Sequence, residues 1–128
     1  DLHALEPGVE PLETAMAWLE RGPQLVIVTH GARGATAVVR GARPVFGAAI
    51  PISAIDTIGA GDAFTAGLLA SLAEHHALCV GWGGVLDRSL LVEVLGFAGR
   101  VAAFTCSRAG ADPPWRAELD LTHTASPL

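Results

Sequence analysis

The spacing of apolar residues along the chain predicts helices and strands in alternation. Apolar residues recur at helical spacing early in the chain, which predicts a helix from about Pro11 to Arg21. After Gly22-Pro23 the run from Leu25 to Val28 is continuously apolar, a pattern typical of a strand buried on both faces, as in a parallel sheet flanked by helices. Two short strand candidates, Thr36–Arg40 and Arg43–Phe46, follow around a glycine and could pair as a hairpin.

The second half of the chain has mainly helical spacing. Phe64, Leu68 and Leu72 form one apolar stripe, and a second long helix is predicted from about Ser89 to Thr105, capped by Asp87 or Ser89. The stretch between these helices, from Ala77 to Asp87, reads as a loop. A short terminal turn is expected over residues 115–119. Alternating strands and helices indicate an α/β layered architecture in a single domain covering residues 1–128.

Charge and composition exclude several classes of function. The net charge of −5 and the scattered eight Lys and Arg residues argue against a nucleic-acid surface. No apolar run reaches the length of about 20 residues that a spanning helix requires, and the start carries no signal-peptide pattern, so no membrane role is expected. Cys79 and Cys106 are too few for a disulfide framework and are interpreted as reduced thiols in a cytoplasmic protein.

Residues 56–64 carry the chemistry most clearly, with the sequence Asp-Thr-Ile-Gly-Ala-Gly-Asp-Ala-Phe. Gly59 and Gly61 allow a tight turn, and the first amides of the helix that follows have no partners within that helix. Those amides and the helix dipole favour an anion, such as a transferring phosphoryl group. Asp62 at this position can accept the proton of an attacking hydroxyl. The alternative for Asp62 is a helix cap that contributes roughly 1 kcal/mol of stability.

Three ordered segments resemble the ribokinase-like (PfkB) carbohydrate kinases. Residues 56–64 resemble the signature of that family, residues 26–35 resemble the strand and glycine turn that line its ATP site, and residues 102–114 resemble its final helix and closing loop. All three belong to the C-terminal part of complete members, which are longer. The resemblance therefore implies a ribokinase-like layered sheet flanked by helices, with only the C-terminal part present.

The resemblance implies roles for individual residues. Asp62 matches the catalytic base, and the amides of Gly59, Ala60 and Gly61 match the anion hole. The expected nucleotide contacts are Thr29, Gly31, Arg33, Gly34, Gly61 and Gly99. Arg33 could equally be a solvated turn residue. Gly99 departs from the family, because relatives often carry Asn or His there beside the adenine.

Two cations are implied by the same resemblance. Mg²⁺ is expected with ATP, although its protein ligands lie mostly in the N-terminal half of the family. Many relatives also hold a monovalent cation, and the matching candidates for K⁺ here are Asp56, Ile58, Thr105, Arg108 and Gly110. The alternative for Asp56 is a carboxylate that bonds turn amides.

The sequence thus predicts the nucleotide-binding and catalytic portion of an ATP-dependent sugar kinase, with small-molecule sugar and ATP as partners and fructokinase-type members as the best match. Two alternatives stay open. One is an inactive fragment or remnant that binds nucleotide or packs against a partner half, and the other is a non-kinase α/β nucleotide-binding module. Because a divided sheet exposes a strand edge and an apolar face, the chain is expected to form a homodimer, to aggregate, or to need the missing N-terminal half.

Overall fold

The computed structural model describes residue 8 and residues 10–79 and 85–123, and the side chains only as far as residue 120. The Gly-Trp-Gly-Gly run in the predicted 77–87 loop lies outside the described residues. Within these described residues the elements follow one another as α1 (Pro11–Leu19), β1 (Leu25–Thr29), β2 (Ala35–Val39), β3 (Val45–Gly47), α2 (Ala60–Glu74), α3 (Arg88–Cys106) and α4 (Arg116–His123). A single 3-10 turn, Gly31–Arg33, joins β1 to β2.

The three strands form an antiparallel sheet in the order β1-β2-β3. The hairpin predicted from the two short strand candidates is confirmed. The parallel pairing expected for β1 is wrong in the described part of the chain, because the 3-10 turn reverses the chain and brings Leu25 opposite Val39. A continuous apolar run indicates only that both faces of a strand are covered, and an antiparallel strand between two layers of helices meets that condition as well.

Helices cover both faces of the sheet. Successive residues of β1 point to opposite faces. On one face Val28 and Val38 pack with Ala15 and Leu19 of α1, and on the other face Ala35, Ala37 and Val45 pack with residues of α2 and α3. The α/β layered class predicted from the sequence is therefore confirmed.

Helices α2 and α3 pack closely at a glycine. A Cβ at Gly67 would lie 2.9 Å from a methyl carbon of Val101 and 3.1 Å from Cα of Ala98, so only glycine permits this separation. The predicted stripe on α2 is buried at Phe64 and Leu72. Asp87 caps α3, accepting a hydrogen bond from the Leu90 amide at 2.9 Å.

The ends of α1 and α4 differ from the predictions. Helix α1 ends at Leu19 rather than Arg21, and α4 extends the predicted terminal turn to His123.

Helix α3 has a mean hydropathy of 1.5 over 18 residues, so by length and composition alone it could cross a membrane. This differs from the expectation, based on the length of apolar runs, that no segment spans a membrane. Core helices of globular proteins pass the same test, and Leu91, Val94, Leu95, Ala98 and Val101 of α3 are buried against the rest of the chain.

Candidate active site

A cavity of about 490 Å³ lies between the turn after β1, the segment after β3, the start of α2 and the inner face of α3. Its lining includes six of the residues predicted for nucleotide and phosphate: Thr29, Gly31, Gly34, Ala60, Gly61 and Gly99. These residues are separated by up to 70 positions in the chain, so the fold alone brings them together. Arg33 lies on the exposed 3-10 turn and is not part of the lining.

Small and apolar groups make up most of the cavity wall. Among its lining side chains only Thr29, Thr57 and Cys106 carry a hydroxyl or a thiol. A Cβ at Gly99 would meet nothing within 4 Å, so this position leaves space in the cavity. A planar apolar ligand group suits this wall, with polar readout left to backbone groups.

The glycine turn after β1 is fixed by the chain itself. The His30 amide donates to the Gly34 carbonyl at 2.7 Å, and the His30 ring lies 2.9 Å from the Thr36 hydroxyl. Gly34 has φ +109°, and a Cβ there would stand 2.1 Å from the Gly47 carbonyl oxygen. Gly34, an expected nucleotide contact, lines the cavity, and the close approach of the end of β3 also requires a residue without a side chain here.

The first turn of α2 presents free backbone donors. Gly59 precedes the helix in the left-handed region at φ +76°. The Ala60 amide donates to the Thr57 carbonyl at 3.2 Å, and the Ala63 amide donates to the Gly59 carbonyl at 2.8 Å. Within the described residues, the amides of Gly61 and Asp62 donate to no backbone carbonyl. The sequence predicted free amides at Gly59, Ala60 and Gly61. Because the Ala60 amide is engaged, the free donors that follow it are the amides of Gly61 and Asp62.

Asp62 follows these donors on the exposed side of the helix start. Its carboxylate forms no hydrogen bond or ion pair with another residue that the structure describes. It does not cap the helix, since the residue that precedes α2 is Gly59 and no side chain caps that end. Gly61 lines the cavity but Asp62 does not, so the carboxylate lies next to the cavity wall in sequence and is available to a group that approaches from solvent.

Asp56 joins the signature turn to the loop after α3. One carboxylate oxygen accepts from the Ile58 amide at 3.0 Å and the other accepts from the Gly110 amide at 2.9 Å. These hydrogen bonds lower the pKa of the Asp56 carboxyl, and the bond from Ile58 has the largest effect. The Ile55 and Asp56 amides also donate to the Cys106 carbonyl, at 2.8 and 3.3 Å.

Ala111, to which the sequence analysis gave no role, lies against the same turn. A Cβ at Gly59 would lie 2.7 Å from Cβ of Ala111. Residues 59 and 111 are far apart in the chain, and alanine carries no chemical signal, so no pattern in the sequence could reveal this contact. Glu118 was missed for a related reason, since an acidic residue early in a helix looks like an ordinary dipole partner.

The proposed K⁺ ligands lie only partly together. Asp56, Ile58 and Gly110 are joined by hydrogen bonds. Thr105 is buried, with its hydroxyl donating to the Val101 carbonyl at 2.9 Å and its own carbonyl accepting from the Arg108 amide at 3.2 Å. One carboxylate with neutral carbonyls suits a monovalent ion better than a divalent one. No group of three or more His, Cys, Asp and Glu side chains with metal-binding geometry occurs in the described residues.

Comparisons with known proteins agree on one family. The model of the pfkB family of carbohydrate kinases matches residues 4–118. A fructokinase from Klebsiella pneumoniae is 55% identical over 53 residues, which is 41% of this chain and 17% of that protein. This chain therefore spans about a fifth of the length of the first curated relatives that it matches.

Solved structures give the same result over more of the chain. A Salmonella enterica aminoimidazole riboside kinase, complexed with aminoimidazole riboside and an ATP analogue, has a TM-score of 0.76 and 25% identity over 97% of this chain and 39% of its own. A Vibrio cholerae fructokinase bound to fructose, ADP and calcium has a TM-score of 0.73 and 27% identity, covering 94% of this chain and 37% of its own.

Proposed function

This chain belongs to the PfkB family of carbohydrate kinases, and we propose that it forms the nucleotide-binding and catalytic portion of an enzyme that transfers the γ-phosphoryl group of ATP to a sugar hydroxyl. The observation that carries the proposal is the cavity of about 490 Å³ that joins the Gly31–Gly34 turn, Gly99 and the start of α2. Such a cavity can hold a base at its apolar wall and a phosphate chain at the helix end.

In this arrangement the chain supplies two functions to the reaction. The amides of Gly61 and Asp62 and the dipole of α2 stabilise negative charge on the transferring group. The Asp62 carboxylate accepts the proton of the sugar hydroxyl. Mg²⁺, when bound with ATP, neutralises the phosphate oxygens. K⁺ beside Asp56 and Gly110 would strengthen the same turn.

Fructose is the favoured acceptor, because fructokinases are prominent among the relatives by sequence and by structure. The runner-up acceptors are sugar acids and ribosides, since 5-dehydro-2-deoxygluconokinases and an aminoimidazole riboside kinase also match. A cytoplasmic location fits these metabolites and is part of the proposal.

ADP production from Mg-ATP tests the proposal with fructose, ribose, a sugar acid and adenosine in turn, with and without K⁺. Asp62→Asn is expected to lower turnover by about 10²–10⁴-fold, the range for removing a general base, while ADP binding is retained. Asp120→Asn is the control, because Asp120 is an exposed acidic residue on α4 that pairs with Arg116 and is not part of the signature sequence at residues 56–64. Sugar-dependent turnover that survives in Asp62→Asn would contradict the assigned role.

A second candidate function follows from the surface before α2. Four isoleucines of this segment are exposed: Ile50 by 39%, Ile52 by 42%, Ile55 by 70% and Ile58 by 65%. Ile50 and Ile52 also line the cavity, and exposed apolar side chains along one segment are typical of a surface that packs against other protein. The segment would then face the remainder of a longer kinase chain or a second copy, and the chain would be inactive alone.

Size-exclusion chromatography with light scattering separates these cases. A dimer that disperses when Ile55 and Ile58 are replaced by Ser supports a second copy. A chain that aggregates alone, and becomes monomeric and active when supplied with a separate N-terminal portion of a fructokinase, supports a missing half. A compact monomer with a cooperative melting transition would argue against both.

A further inference from the structure

Arg108 occupies the junction between α3 and the loop that closes the site. Its guanidinium lies over the Phe104 ring at 4.3 Å, donates to an Asp112 carboxylate oxygen at 3.0 Å and bonds Glu118. About a quarter of the side chain, 27%, is exposed. An arginine with an aromatic face and two carboxylates as partners is held in one orientation.

Glu118 divides its carboxylate between two partners. One oxygen bonds Arg108, and the other accepts a hydrogen bond from the Trp115 amide at 2.8 Å. Trp115 is the residue just before α4 begins. These contacts lower the pKa of the Glu118 carboxyl, and the hydrogen bond from Arg108 has the largest effect. The first turn of α4 is thereby tied to the end of α3, across residues 109–114.

The loop between these two anchors contacts the signature turn. The Gly110 amide donates to Asp56 at 2.9 Å, and Ala111 lies against Gly59. None of residues 107–115 is buried. Since burial does not fix this loop, polar contacts must hold it in place.

We propose that Arg108 and Glu118 form a positioning pair that sets the Gly59 turn, and through it the free amides of Gly61 and Asp62, by holding residues 109–114 against Asp56 and Gly59. The inference rests on the proposed function for its consequence in catalysis. The pair touches no reacting group, so its effect reaches the site through the loop alone.

The chain contains a matched ion pair for comparison. Arg116 on α4 bonds Glu74 at the end of α2 and lies 5.0 Å from the Phe97 ring. It is also an arginine–glutamate pair with one member on α4, but among the described residues neither member has a hydrogen bond or ion pair to residues 109–114 or to Asp56. Glu74→Gln therefore measures what loss of a helix-to-helix ion pair costs without disturbing the signature turn.

The test compares Glu118→Gln with Glu74→Gln in this chain. Glutamine keeps the size of the side chain and an oxygen for the Trp115 amide, but removes the charge that binds Arg108. We expect amide hydrogen exchange at Ile58 and Gly110 to rise by about tenfold in Glu118→Gln and by less than about twofold in Glu74→Gln, since these bonds report local opening. The affinity for Mg-ADP should fall several-fold only in Glu118→Gln.

A second pair of variants approaches from the other side of the contact. Arg108→Gln should reproduce the exchange pattern of Glu118→Gln, and Arg108→Lys should restore part of the protection because the charge remains. Equal exchange in Glu118→Gln and Glu74→Gln, or no recovery with Lys, would overturn the positioning role. If the unaltered chain fails to bind Mg-ADP, the proposed function fails, whereas the exchange comparison still decides this inference.

Discussion

The layered scaffold and the two loops of the site are held by different interactions. In the scaffold, Ala15, Ala37, Val38, Val94 and Ala98 are at most 1% exposed, and apolar packing fixes the positions of sheet and helices. In the loops, residues 51–59 and 107–115 contain no buried side chain. Their positions depend on Asp56, on the Arg108–Glu118 pair and on a glycine contact.

Because different interactions hold the two regions, the fold and the geometry of the site can be changed separately. Loss of packing in the scaffold costs free energy of unfolding directly. Loss of a polar contact in an exposed loop opens that loop locally and leaves the global stability nearly unchanged. Changes in the scaffold should therefore alter unfolding first, and changes in the loops should alter ligand binding first.

The largest effect is expected for Gly34→Ala, where the glycine turn of the site packs against β3 of the scaffold. Its Cβ would stand 2.1 Å from the Gly47 carbonyl oxygen at a φ of +109°, so the turn and β3 cannot both keep their places. We expect a loss of about 3 kcal/mol or more in the free energy of unfolding, measured by urea denaturation. Gly41→Ala is the control, since φ is +73° there but the Cβ would meet nothing within 4 Å, and only about 1 kcal/mol should be lost. Similar losses in the two variants would contradict the steric explanation.

An intermediate effect is expected for Gly59→Ala in the signature turn. The strain of φ +76° and the clash with Ala111 should cost about 1–2 kcal/mol and weaken Mg-ADP binding more than tenfold. Gly61→Ala should leave stability unchanged or slightly raised, because the residue is helical with open space at its Cβ, while the added methyl group occupies the cavity and weakens binding. Calorimetric titration and urea denaturation check both variants. Normal ADP affinity in Gly59→Ala would remove the coupling between turn and site.

The smallest effect concerns acid and Asp56. Its pKa is lowered in the folded chain by the Ile58 and Gly110 amides, so the stability that it contributes is fully present above the unfolded pKa of about 4 and is lost as the pH falls through the folded pKa. The difference in stability between the unaltered chain and Asp56→Asn should therefore be constant above about pH 5 and shrink below about pH 4. Urea denaturation at pH 6, 4 and 3 measures it. A difference that widens on acidification would contradict the assignment.

Sequence patterns predicted the elements better than their pairing. The hairpin, the α2 stripe and the Asp87 cap of α3 are each encoded within a few neighbouring residues, so a local pattern suffices to find them. The antiparallel partner of β1 depends on the turn at Gly31–Gly34, and a run of apolar residues cannot distinguish one partner direction from another. Helix α1 is two residues shorter than predicted, because the sequence specifies the ends of helices only weakly.

Spacing, side-chain chemistry and backbone flexibility are local properties, so the amino-acid sequence was enough to identify the family, the α/β class and the residues with reactive side chains or glycine freedom. The folded chain alone shows that Thr29, Gly34, Gly61 and Gly99 share one cavity, that Ala111 lies against Gly59, and that Glu118 bonds Arg108. These facts are contacts between distant residues with no chemical signature of their own. Packing and loop geometry create them when the chain folds, so they can be read only from the folded chain.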